Sequence, residues 1–188
     1  MSSVTLISTA TPSGSAASLE FTSIPASYDD LLMIGNVKGD SGTDWAPNDS
    51  GNYLRLNDLS TSNMYQGAQL YNQYSSGSFV GYQNLKTTVS TGQDLIKFWG
   101  ITGTLNSETT PGAVWMYIPG YCVTTDTPTR NFMLHSGAVS NSTNVLSIQQ
   151  LYAGSVDTTA AIDKIKYYSG VGNLIATAKM SLYGITNS

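Results

Sequence analysis

The chain has 188 residues, a mass of 20.0 kDa and a formal net charge of −4. Charged residues make up 11%, against about 25% in an average soluble domain. A chain of this size can build one core without staples, and its 40% apolar content with so small a net charge argues against disorder.

Other classes fall as quickly. No apolar run approaches the ~18 residues of a membrane-spanning helix, so no membrane partner is expected. Six Lys and two Arg are scattered along the chain, which argues against a nucleic-acid partner. The single cysteine, Cys122, allows neither an internal disulfide nor a cysteine zinc site.

Ser, Thr, Asn and Gly together account for 78 residues, and there are 12 Tyr. These types suit turns and strands, and no window holds a clean 3.6-residue period. In chain order, Met1 to Val4 carry no basic start and no long apolar stretch, so no secretory leader is expected. Residues 4–8 form a first short run, followed by a small polar tract at 8–18. Residues 18–24 alternate, with Leu19 and Phe21 opposite Glu20 and Thr22. Residues 30–38 are apolar at Leu31, Leu32, Met33, Ile34 and Val37, the pattern of a mostly buried strand. A long loop covers 38–52. Residues 53–56 alternate, with Leu54 and Leu56 inward and Tyr53 and Arg55 outward. A second long loop covers 56–74.

Weaker strand patterns follow at 79–86 and 94–105, with a third loop at 106–112. Residues 113–118 are strongly β and end at Pro119-Gly120. Further strands are expected at 129–139, 145–154 and 164–169. Residues 174–185 alternate most cleanly, with Leu174, Ala176, Ala178, Met180 and Leu182 on one face. The segment 169–173 holds two glycines and reads as a hairpin connection. About ten strands with this spacing, and no alternating helices, predict an all-β antiparallel β-sandwich, preferably a jelly roll. A strand and polar arm at 1–18 would precede a single sandwich domain at 19–188.

Catalytic chemistry finds little footing. Gly39-Asp40-Ser41-Gly42 is like a serine-protease nucleophile segment, but the one histidine, His135, lies downstream and inside a strand pattern, so a turn is the better reading. Asp40, Asp44 and Asp49, with Asn48 and Asn52, are weak candidates for a Ca²⁺ site in the first long loop. Their spacing is not that of an EF-hand, and solvated loop residues are preferred. No two carboxylates bracket each other as glycoside cleavage needs. The expectation is therefore no enzyme, no cofactor and no resident metal. Tyrosine is the enriched type. Tyr53, Tyr65, Tyr71, Tyr74 and Tyr82 gather around the second loop and, with Trp45 in the first, are the interface candidates.

A set of short segments carries a resemblance. Ile24-Pro25-Ala26-Ser27-Tyr28-Asp29-Asp30-Leu31-Leu32-Met33-Ile34-Gly35-Asn36-Val37 comes first, then Tyr53-Leu54-Arg55-Leu56-Asn57. Tyr117-Ile118-Pro119-Gly120-Tyr121, Ala161-Ile162-Asp163-Lys164-Ile165 and Ser181-Leu182-Tyr183-Gly184-Ile185 follow. In this order the chain resembles small virion proteins of tailed bacteriophages, β-sandwich modules that decorate heads or form parts of fibres. The resemblance implies a position on the virion surface, with the major capsid protein and further copies of the chain as partners. A capsid decoration (cement) protein acting as a homotrimer is the expectation, since no stalk or coiled coil is seen. The alternative is a tail-fibre or head-fibre module that binds cell-surface glycan through the aromatic loops. No catalytic residue is implied.

Overall fold

The computed structural model describes residues 2–40, 52–60, 65–75, 78–84, 96–98, 111–124, 129–140, 146–169 and 172–187. Twelve strands lie among them: β1 (Ser3–Ala10), β2 (Ser18–Phe21), β3 (Asp30–Val37), β4 (Asn52–Leu56), β5 (Tyr65–Ser75), β6 (Ser78–Asn84), β7 (Ile96–Phe98), β8 (Gly112–Ile118), β9 (Arg130–Ser140), β10 (Leu146–Val156), β11 (Ile165–Tyr168) and β12 (Lys179–Thr186). The described residues include no helix. Every strand pair is antiparallel. The large sheet has the order β1-β12-β3-β8-β9-β10-β5-β6, and the small one β2-β11-β4-β7.

This order is a jelly roll with an extension. β1-β12-β3-β8 and β2-β11-β4-β7 are its two four-stranded sheets, and the chain crosses between them at nearly every step. The hairpin β5–β6 is inserted between β4 and β7, and the hairpin β9–β10 between β8 and β11. Both hairpins add to the large sheet beyond β8, and of their four strands only β5 was not expected.

The core lies between the sheets. Leu31, Met33, Val114, Met116, Met180 and Leu182 point inward from the large sheet, and Leu19, Phe21, Leu54, Leu56, Ile165 and Tyr167 from the small one. All are buried, and each aliphatic or aromatic side chain of this kind contributes roughly 1.5–3 kcal/mol. On the extension, Phe132 and Tyr152 stack with ring centroids 5.6 Å apart.

Four expectations are corrected. Residues 56–74 are not one loop, because β5 begins at Tyr65 and pairs along β10 from Tyr65↔Val156 to Tyr74↔Ser147. Its Gly- and Gln-rich sequence has little apolar alternation, and the ladder, not the side chains, sets it. Residues 174–178 are not strand. Leu174 makes isolated bridges to Ala16 and Gly39, and Ala178 N–H closes a turn onto the Ile175 carbonyl. The connection from β11 to β12 is not a hairpin, since β11 pairs with β2 and β4 while β12 pairs with β1 and β3. It crosses from one sheet to the other. Finally, β3 is not mostly buried: Leu31 and Met33 are, but Leu32 is half-buried and Ile34 is exposed.

β1 pairs with β12 from Ser3↔Thr186 to Ala10↔Met180. The polar tract after it returns to the body, where Ala16 exchanges two backbone hydrogen bonds with Leu174 and Ser15 Oγ donates to Asp40 at 2.9 Å.

Candidate interaction face

Two of the residues singled out by the sequence, Tyr65 and Asp40, serve the fold. Tyr65 is fully buried, and its hydroxyl accepts the Leu56 N–H at 2.9 Å. It is a core residue, not an interface residue, because pairing with β10 fixes which way β5 points its odd positions. Tyr53 is half-buried on the outward side of β4. The backbones of Tyr71, Tyr74 and Tyr82 lie in β5 and β6, paired strands rather than a loop, and their side chains fall outside the described set. Trp45, Asp44 and Asp49 lie outside the described residues.

Asp40 is a clasp. Its carboxylate accepts the Asn173 N–H at 2.6 Å and the Ser15 hydroxyl at 2.9 Å. The Asn173 N–H, then the Ser15 hydroxyl, hold its carboxyl below the usual range against a small opposing burial effect. Among the described residues no group of three or more His, Cys, Asp or Glu is placed to hold a metal. Cys122 is half-buried and its thiol donates to the Tyr28 carbonyl at 3.1 Å.

The segments that carry the resemblance meet in space, as structural joints. The Asn57 side chain donates to the Ala161 carbonyl at 2.7 Å and accepts the Asp163 N–H at 2.9 Å. Tyr121 donates its hydroxyl to the Pro25 carbonyl. Tyr117 donates its hydroxyl to Asp30 at 2.7 Å.

The informative surface is one the sequence did not reveal, the outer face of the large sheet. Successive side chains alternate across a sheet, so the positions between the core residues point outward. Register joins them into rows. In one row Leu6 lies opposite Tyr183, Tyr183 opposite Leu32, and Leu32 opposite Tyr117. The row goes on through Met133 and Ala153 to Ala68. In the next, Thr9 lies opposite Ser181, which is followed by Ile34 and Trp115. That row continues through His135 and Leu151 to Leu70. Neither row contains Asp, Glu, Lys or Arg. Val4, opposite Ile185, extends the face at one border.

Val4, Leu6, Ile34, Leu70, Met133 and Leu151 are between 37% and 62% exposed. They are six of the seven exposed large apolar side chains among the described residues; Val123 is the seventh. At its centre Trp115 stacks on His135 with centroids 6.0 Å apart and 26° between the rings. Seven strands at ~4.8 Å spacing span ~29 Å, and the rows cover ~15 Å along the strands, roughly 400 Å² of plane. That is the size of the largest apolar patch on a typical monomer, which is often functional.

The opposite surface, the outer face of the small sheet, is of another kind. Lys164 Nζ lies 2.6 Å from Glu20 Oε1 and 2.6 Å from Asp58 Oδ2 at its margin. Hydrogen bonds to Asp58 and Glu20 push the Lys164 amine upward, and the bond from Lys164 pulls the Asp58 carboxyl down. The Arg55 guanidinium and the Lys166 ammonium lie 5.5 Å and 5.0 Å from the ring centre of Tyr168.

No family model matches the chain, and no curated protein does. Among solved structures, alginate lyase vAL-1 from Chlorella virus is similar at 11% identity and a TM-score of 0.30, over 100% of this chain and 89% of that one. The marine PL-14 alginate lyase from Aplysia kurodai is similar at 7% identity and a TM-score of 0.23, over 88% of this chain and 72% of that one. Likeness at these scores carries no argument about activity.

Proposed function

We propose that this chain is a structural protein of a tailed-phage virion, a capsid decoration (cement) protein that lays the outer face of its eight-stranded sheet on the assembled shell. The observation that supports this reading is the charge-free apolar face across seven strands. β3 and β8 carry apolar side chains on both faces, the pattern of strands covered on both sides, and among the described residues only one face is covered. A protein surface is the partner that buries such a face. The mechanism is mass action. A module that binds only the assembled shell stabilises it, by about 2.7 kcal/mol per site at a free concentration 100-fold above Kd. The resemblance implies a homotrimer; a two-fold dimer is another closed arrangement open to such a module.

The glycan-binding alternative draws less support. Sugars stack on open aromatic rings, whereas this face is largely aliphatic, one face of its tryptophan ring is taken by His135, and Tyr65 is in the core.

The test is the copy number of the chain in purified virions, measured by quantitative mass spectrometry against the major capsid protein. A number close to that of the capsid protein is expected. A fibre-like number, a small fraction of the capsid count, overturns the decoration reading.

A further inference from the structure

We propose that β1 is a seam along which two copies of this chain join into one continuous sheet. The argument starts from the edges of the two sheets. Among the described residues, one edge of the small sheet is β2, four residues with Glu20. Short length and a charge are the devices that keep an edge unpaired. β1 has neither. It is eight residues long, without proline and without a charged side chain, and among the described residues it pairs with β12 on one side only. Val4 and Leu6 on it are 62% and 54% exposed.

The free side of such a strand presents a row of N–H and C=O groups that another strand satisfies. A second copy fits, because an uncharged edge meets its own image without repulsion. A two-fold axis perpendicular to the sheet sets β1 antiparallel to β1 and closes the assembly at two copies. Pairing β1 with β6, the other end of the sheet, is head-to-tail and builds rings or filaments instead. The ladder to β12 shifts register between Leu6 and Ser8, so Ser3 to Leu6 is the regular stretch available for pairing, and it holds both exposed apolar side chains.

The same two-fold keeps both apolar faces on one side of the joined sheet. This step rests on the docking reading above. One face of roughly 400 Å² is half of the ~800 Å² per partner of a standard interface, and two faces in one plane supply it.

Sedimentation velocity on the free 188-residue chain, from micromolar to near-millimolar, tests the seam without any shell. A reversible species of twice the 20.0 kDa chain mass is expected. Thr5→Lys and Leu6→Lys, both at exposed positions of β1, should weaken it at least tenfold with an unchanged circular dichroism spectrum. Ile34→Lys, on the apolar face but away from the edge, should leave it intact. A monomer at every concentration, a trimer, or a dimer dissolved by Ile34→Lys and not by Thr5→Lys overturns the proposal. Shell copy number is a separate reading, so the docking role and the seam can fail independently.

Discussion

Asp30 sits where β3 begins, and three donors converge on it. Tyr117 gives its hydroxyl at 2.7 Å, Gly120 its N–H at 2.9 Å and Asn187 its side-chain amide at 2.9 Å. Burial alone raises the carboxyl, but these hydrogen bonds outweigh it and hold it below the ordinary 3.8. The bond to Asp30, with burial, raises the Tyr117 phenol in turn. Because the folded carboxyl titrates lower than the unfolded one, its contribution is complete above the unfolded value of about 3.9 and disappears as pH falls through the folded value. Asp30→Asn keeps the shape but turns an acceptor into a donor against other donors. We expect it to cost about 1.5–3 kcal/mol at neutral pH. The gap between variant and wild type, read by urea denaturation, should close as pH falls from about 5 to 2. A gap that stays constant across that range would show that the charge of Asp30 contributes nothing.

At the scale of elements, β12 shows how closely a strand can depend on one small residue. Gly184 lies opposite Leu31 and Thr5, and a Cβ added there would stand 2.2 Å from Cγ of the Tyr28 ring. That ring approaches the strand this closely because the position is glycine. Gly184→Ala should destabilise by about 1–3 kcal/mol, the range of an overpacked core. The denaturation midpoint should move with its slope unchanged; an unshifted midpoint would mean that Tyr28 swings away freely. The same strand shows what was legible in the sequence. The stretch from Met180 to Ile185 alternates as a half-buried strand does, and β2 and β4 were readable on the same ground. Residues 174–178 share the alternation through small alanines, but Ala176 is exposed and the chain turns there. β5 left no such signal, since its place comes from backbone pairing with β10. The interaction face left half a signal. Leu31 to Ile34 and Val114 to Ile118 are apolar at nearly every position, which was readable as burial on both sides. That Ile34, Trp115, His135 and Leu151 form one row was not readable, because the row depends on register between strands far apart in the chain.

For the whole molecule, the two outer faces impose an orientation. One is apolar and uncharged across its two central rows, with Lys179 at its border. The other carries Glu20, Arg55, Lys164 and Lys166 in ion pairs and over the Tyr168 ring. Exposed ion pairs contribute at most about 1 kcal/mol each and lose nothing by staying in water, whereas an apolar face gains by leaving it. Docking through the large sheet therefore turns the small sheet away from the shell. Two results are expected together. Binding to shells should change little between low and high NaCl, because an interface without ion pairs is not weakened by screening. In amine-reactive footprinting, Lys179 should become protected on bound modules while Lys164 and Lys166 keep the reactivity of the free chain. Protection of Lys164 and Lys166 with Lys179 still reactive, or binding that collapses with salt, would mean that the ion-paired face is the one that docks.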